Sequence, residues 1–265
     1  MPSFFTKGLH AALSILFPLK CLSCGTRIIS STEIRNYSNP KPNHFSTIMA
    51  AYLCNKCISL FNEISSPICV TCGKPFISKE GDDRLCDQCI RGGNHFSKAR
   101  SVGIYDHSFR QIIHHYKYKN RVYLSKPLAQ LIEKSYLTYW QSNEIDIVIP
   151  VPLHIKRFRQ RGFNQAYLLI RQWEKNTQTQ FPILDQHALI RTRWTDPMVR
   201  LSKKQRVSNL KNAFCVSNPK AIHHKRILLI DDVFTTGVTV NECTKVLLKA
   251  GAKRVDILTL ARVIL

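Results

Sequence analysis

The sequence predicts an α/β protein, a parallel sheet with flanking helices, preceded by a small cysteine-rich zinc-binding module. Three observations predict it. Four CxxC pairs crowd the first third of the chain. A continuous apolar run at 227–230 and largely apolar runs at 145–150 and 255–260 have the character of buried parallel strands, and a helical stretch separates 227–230 from 255–260. The boundary falls near residue 95, giving a module over 1–95 and a larger domain over 96–265.

At 265 residues with 44% hydrophobic side chains, the chain has apolar material for one large domain or two ordinary ones, which excludes a disordered class. The formal net charge is +22, from 39 Lys and Arg against 17 Asp and Glu. Two zinc ions, each held by four thiolates, would bring it to about +18. Between residues 150 and 226 stand sixteen of those cations but only three acids, Glu174, Asp185 and Asp196. Such concentration points to a polyanionic partner.

An apolar N-terminal stretch, 4–19, is interrupted by Lys7 and His10 and broken by Pro18, too short to span a membrane. It has no small-residue cleavage site and is expected to form an amphipathic helix packed on the module. The chain is therefore expected in the cytoplasm and not as an integral membrane protein. Reducing conditions there turn clustered cysteines toward metal rather than disulfides.

The pairs are Cys21 and Cys24, Cys54 and Cys57, Cys69 and Cys72, Cys86 and Cys89. A CxxC turn lets two thiolates hold one tetrahedral Zn²⁺, and two turns close a four-sulfur site, so eight cysteines predict two structural zinc ions. Such a module has few large apolar residues and is expected to need its metal to fold. The gaps of 29, 11 and 13 residues between pairs permit sequential or interleaved ligation. Residues 28–49, polar and carrying Pro40 and Pro42, read as an inserted loop; the lone Cys215 and Cys243 read as buried structural thiols.

Residues 225–260 form a strand–loop–helix–strand unit. Its first apolar run ends in Asp231 and Asp232, followed by Thr235, Thr236, Gly237, Val238 and Thr239. A helix is expected over 239–250, closed by Gly251. The loop lies at the carboxyl end of a strand and the amino end of a helix, where free N–H groups and the helix dipole favour an anion. Gly237 lets the backbone close around a phosphate, and the threonine hydroxyls add donors. Two adjacent carboxylates repel phosphate, so they suit a ribose diol with Mg²⁺ nearby.

The thirteen residues ILLIDDVFTTGVT, 227–239, resemble the 5-phosphoribosyl-1-pyrophosphate (PRPP) motif of type I phosphoribosyltransferases. That resemblance implies that Asp231 and Asp232 hold the ribose 2′ and 3′ hydroxyls, while Thr235, Thr236, Gly237, Val238 and Thr239 enclose the 5′-phosphate. Upstream, PVPLHIKRFRQRGFNQAYLL, 150–169, follows another apolar strand. Together with the four CxxC pairs, these runs resemble the ComF family of competence-associated proteins along nearly the whole chain. Pro152, Leu153 and His154 are then implied to line the pyrophosphate. Arg157, Arg159 and Arg161 alternate in sequence and, if extended, project from one side toward anionic oxygens that suit the guanidinium fork. Asn164 is expected to cap a helix from Gln165 onward.

The run 191–214 resembles the family as well, with Met198 where many members carry Gln, and 192–211 corresponds to the mobile loop of type I transferases. The run 105–120 also resembles it, with Lys117, Tyr118 and Lys119 expected to face the same cleft. Two functions follow. The resemblance implies a PRPP-binding protein of natural transformation that handles imported single-stranded DNA on the cytoplasmic side, with DNA-uptake machinery at the inner membrane as a partner. Exposed Lys and Arg would pair phosphates, and Tyr116, Tyr118, Phe158 and Trp194 would stack bases, whereas Phe163 reads as core. The alternative is an enzyme that transfers phosphoribosyl from PRPP to a nitrogenous acceptor, with Mg²⁺ on the pyrophosphate.

Overall fold

The computed structural model describes residues 19–28, 44–141, 143–173, 181–195 and 203–264. The expected N-terminal helix, apart from Leu19, and residues 196–202 of the expected mobile loop lie outside them. In chain order the described helices are α1 (His44–Met49), α2 (Asn55–Ser59), α3 (Asp87–Ile90), α4 (His107–Tyr118), α5 (Ser125–Tyr139), α6 (Ile155–Arg161), α7 (Gln165–Leu168), α8 (Lys203–Leu210), α9 (Pro219–Ile222) and α10 (Val238–Lys249). The strands are β1 (Ala99–Ile104), β2 (Ile147–Pro150), β3 (Ile183–Leu184), β4 (Leu189–Arg191), β5 (Phe214–Val216), β6 (Arg226–Phe234) and β7 (Arg254–Arg262).

Five strands form one parallel sheet in the order β1-β7-β6-β2-β3, while β4 and β5 pair antiparallel beside it. The central strands are apolar on both sides because a parallel sheet is covered on both faces. Their two-residue period divides the core. Val148, Leu228, Ile230, Leu258 and Leu260 pack with α4, α5 and α7, whereas Ile147, Ile149, Ile227, Leu229, Val255 and Ile257 pack with α9 and α10. Each large apolar side chain so buried contributes about 1.5–3 kcal/mol.

The cysteine-rich segment divides across these two faces. Phe45, Met49, Leu53, Cys57 and Phe61 enter the α4–α5 core, and Cys69, Cys72, Cys86 and Phe96 enter the α10 core. The Phe45 ring stacks on Phe61 at 3.6 Å, and Phe109 of α4 meets both edge-on. This corrects the reading of 28–49 as a loop, since 44–49 is the helix α1 and its Phe45 and Met49 are 3% and 0% exposed. The cysteine-rich segment also has more apolar anchorage than its composition promised, borrowed from the helices and sheet that follow it.

Helix α10 begins and ends on glycine. Gly237, at φ +74°, is its N-cap, and at the far end Gly251, at φ +95°, closes a turn in which the N–H of Ala252 donates to the Leu247 carbonyl at 3.1 Å. Among the described residues no helix is long and apolar enough to cross a membrane.

Candidate functional site

The eight paired cysteines gather into two four-sulfur clusters, Cys21 with Cys24, Cys54 and Cys57, and Cys69 with Cys72, Cys86 and Cys89. Ligation is therefore sequential. Within each cluster the sulfurs all lie within 4.8 Å of one another, and the Cys24–Cys54 and Cys72–Cys86 pairs stand at 3.6 and 3.7 Å. A tetrahedral ion with Zn–S bonds of about 2.3 Å sets its sulfurs about 3.8 Å apart, so both clusters fit zinc. Burial pushes the Cys54, Cys57, Cys72 and Cys89 thiols up, and hydrogen bonds draw one thiol of each cluster down. Thr26 side-chain and backbone hydrogen bonds draw the Cys24 thiol down to about 6. Burial opposes ionisation of Cys69, but N–H groups of Cys72 and Cys86, each 3.4 Å from its sulfur, bring it down to about 7. Cys243 is fully buried as expected, whereas Cys215 is only half-buried on β5.

The candidate ligand site lies at the carboxyl ends of β6 and β2, tied together where the N–H of Val151 donates to the Ile230 carbonyl at 2.9 Å. Strand β6 runs past both aspartates to Phe234, longer than the apolar run suggested, because its register with β7 continues to Phe234 opposite Arg262. The two carboxylates have different surroundings. Asp232 is 4% exposed, and its oxygens accept from Lys117 Nζ at 2.7 Å and Gln165 Nε2 at 2.9 Å. Asp231 is half-buried, accepts from the Asp232 N–H at 2.8 Å, and has Lys117 and Arg191 as nearby cations. Burial, then the Asp232 charge, push the Asp231 carboxyl up to about 7.

Beyond the acids, Thr235, Thr236 and Gly237 form the turn, and Val238 and Thr239 open α10. A Cβ on Gly237 would stand 2.6 Å from the Phe234 ring, so both the positive φ and the close approach require glycine. The first-turn N–H groups of this twelve-residue helix follow directly on the strand end, the arrangement that stabilises an anion.

The second loop carries Pro152, Leu153 and His154. Pro152 and His154 are buried and Leu153 half-buried. His154 caps α6 by accepting the Lys156 N–H at Nδ1, and burial followed by the charges of Arg191, Lys156 and Arg157 pushes its pKa down, favouring neutral imidazole. The three arginines are not extended. They sit on helix α6, where residues four apart share a face. Arg157 and Arg161 are half-buried together, while Arg159 is exposed and two positions away on the helix. The helix forms because His154 caps it and Gly162, at φ +77°, ends it.

Aromatic rings stand beside these cations. Lys156 and Arg157 lie 5.8 and 5.6 Å from the Trp194 ring, and Arg161 lies 4.9 Å from Tyr118, which is 54% exposed. Phe158 is 43% exposed, and Phe163 packs half-buried against the core. Tyr116 is fully buried with its hydroxyl donating to the Gln165 carbonyl, which removes it from the proposed stacking set. Asn164 caps α7 as expected, accepting from Ala166 at 3.0 Å. Gln165 and Arg191 belong to the site although sequence reasoning gave them no role; both lie inside runs that resembled the family.

A family model described as "Phosphoribosyl transferase domain" matches residues 164–264, from the cap of α7 through β7. Competence protein F of Haemophilus influenzae is 31% identical over 214 residues, covering 79% of this chain and 90% of the relative. DNA utilization protein YhgH of Escherichia coli is 30% identical with the same coverage. Competence protein ComFC of Streptococcus pneumoniae is 28% identical over 92% of this chain and all of the relative. With two four-cysteine clusters ahead of a phosphoribosyltransferase-like parallel sheet, and this identity across most of its length, the chain belongs to the ComF family of competence proteins.

Proposed function

We propose that this protein binds PRPP together with Mg²⁺ at the carboxyl edge of its sheet and handles imported single-stranded DNA during natural transformation, on the cytoplasmic side of the membrane. The loop 235–239 carries the reading: a glycine-capped helix start follows a strand that carries two carboxylates of different environment near its carboxyl end. The N–H groups suit the 5′-phosphate. Asp231, still free to accept at one oxygen, suits the ribose diol, and Asp232 acts with Lys117 and Gln165 as the fixed wall behind it. Pro152, Leu153 and His154 form the adjoining loop for pyrophosphate, where Arg157 and Arg191 supply positive charge. Mg²⁺ would neutralise the pyrophosphate when bound.

The DNA half is supported by the basic excess at 150–226, by the Lys156–Trp194–Arg157 and Arg161–Tyr118 groupings, and by relatives whose names are competence and DNA-utilization proteins. Cation beside ring, with Tyr118 exposed and Trp194 half-buried, matches a strand that offers phosphate and base alternately. The uptake machinery at the inner membrane is the partner this role requires. Fluorescence anisotropy with a labelled single-stranded oligonucleotide, between about 50 and 200 mM salt, tests it; log K should fall by about 0.7 per phosphate contact for each unit of log salt. Absence of binding, or a flat salt response, removes the DNA role. PRPP that binds yet survives incubation with nucleobases supports a binding protein, and its consumption turns the reading to a phosphoribosyl transfer enzyme.

A further inference from the structure

The two four-sulfur clusters differ in what they touch. The first lies on the α4–α5 face, where the Ser108 hydroxyl donates to the Cys57 carbonyl at 2.6 Å. The second lies on the α10 face, and two chains of contact lead from it to the phosphate loop. In one, Arg262 at the end of β7 donates from Nη1 to the Cys72 carbonyl at 2.6 Å and from Nη2 to the Cys72 sulfur at 3.5 Å. Its guanidinium lies 4.5 Å over the Phe234 ring, and that ring fills the space where Gly237 would otherwise carry a Cβ. In the other, the turn after Cys89 grips the first turn of α10. Asn94 Nδ2 donates to the Cys89 sulfur, the Gly93 carbonyl accepts from Asn241 Nδ2 at 3.0 Å, and the His95 N–H donates to Asn241 Oδ1 at 2.6 Å. Beside the second strap lies a cavity of about 260 Å³ lined by Gln88, Asn94, Thr236, Gly237 and Asn241, among others.

Arg262 is 6% exposed and, among the described residues, has no carboxylate partner, and its Nε has no hydrogen bond. A buried guanidinium needs an opposing charge. Zinc held by four thiolates carries a net charge of about −2, and it would sit beside this cation; neutral thiols would not provide that charge. We propose that Arg262 is a positioning residue that couples metal in the second four-cysteine site, and not in the first, to ligand binding at the phosphate loop. The inference rests on the reading of that loop as the PRPP site. Without the ion, Arg262 loses its counter-charge, the Phe234 ring loses its lid, and the turn at Gly237 loses the surface that shapes it. Because coupling between two sites is reciprocal, ligand in the loop must hold the second ion more tightly.

The test follows the release of zinc from full-length, doubly loaded protein to a chromophoric chelator, with and without PRPP·Mg²⁺, beside calorimetric PRPP affinity. With PRPP·Mg²⁺ the equilibrium share yielded to the chelator is expected to fall for one of the two ions, its affinity rising about five- to 150-fold, the usual range of such coupling, and to stay unchanged for the other. R262Q is expected to abolish that selective protection and weaken PRPP binding, with R262K intermediate because it keeps charge but not the two-pronged contact. Should R262Q fold poorly, N241A cuts the second strap while leaving Arg262 in place and should reduce the same protection. Equal protection of both ions, or full selective protection in R262Q, overturns the coupling. PRPP bound by the wild type with no effect on either ion overturns it while sparing the ligand reading. No PRPP binding by the wild type fells both.

Discussion

Methionine in place of Lys117 tests the buried pair at the heart of the site. The substitution keeps the aliphatic stem but strips Asp232, 4% exposed, of the cation 2.7 Å away. Removing one partner of a buried pair costs about 3–5 kcal/mol. Gln165 still donates at 2.9 Å, which places the loss near the lower end, about 3 kcal/mol. Against a typical fold stability of about 5–15 kcal/mol, that is a large fraction. Urea unfolding of metal-loaded protein near neutral pH, followed by circular dichroism, reads it as a lower midpoint. Asp232→Asn added to the Lys117→Met background removes the stranded charge and should restore part of the loss, giving a coupling of about 2 kcal/mol in the double-mutant cycle.

The pH sign is fixed by the same contact. Burial disfavours charged Lys117, but Asp232 outweighs it and raises the amine's pKa in the fold. Stability from a raised amine is complete below its unfolded value, about 10.4, and is lost as pH rises through the folded value. On the alkaline side, wild type and Lys117→Met should therefore converge in strong alkali and not before. Additive losses in the cycle, or a single-variant loss under about 0.5 kcal/mol, would refute the reasoning.

Other substitutions separate binding from folding. Asp231 holds its proton up to about 7 in the fold, so wild-type stability falls as pH rises from the ordinary carboxyl range through 7. Asp231→Asn should then resist urea better than wild type above neutrality while binding PRPP less tightly in calorimetry, and wild-type affinity should itself decline below pH 7. Gly237→Ala forces a left-handed residue, about 1–2 kcal/mol, against the Phe234 ring, and should weaken PRPP binding about tenfold. Arg157→Ala with Arg161→Ala should lower the salt slope of oligonucleotide binding by about 1.4, since both lie on one face of α6, while Arg159→Ala should change it less.

Much of this architecture is legible in the sequence because it is local. The three apolar runs became β2, β6 and β7, and Gly237 and Gly251 bound α10 where their backbone freedom is needed. CxxC spacing identifies ligand pairs for the same reason, as the turn is made within four residues. What escaped is distant in the chain. Lys117 is expected at the cleft, but its pairing with Asp232 across 115 positions is not, nor is that of Arg262 with Cys72 across 190, and no periodicity encodes such contacts. The sharing of clusters between neighbouring cysteine pairs, the burial of Phe45 and Met49, and the loss of Tyr116 to the core are likewise decided by packing. The arginine run misled because alternation implies one side only in a strand; the cap at His154 and the terminator at Gly162 make it a helix.

Isothermal titration of folded protein carrying both zinc ions with PRPP, in the presence of magnesium, bears most directly on the loop 235–239. The account predicts saturable heat at one ligand per chain, with affinity about tenfold weaker in Gly237→Ala. Flat titration of protein whose fold and zinc content have been verified would contradict it.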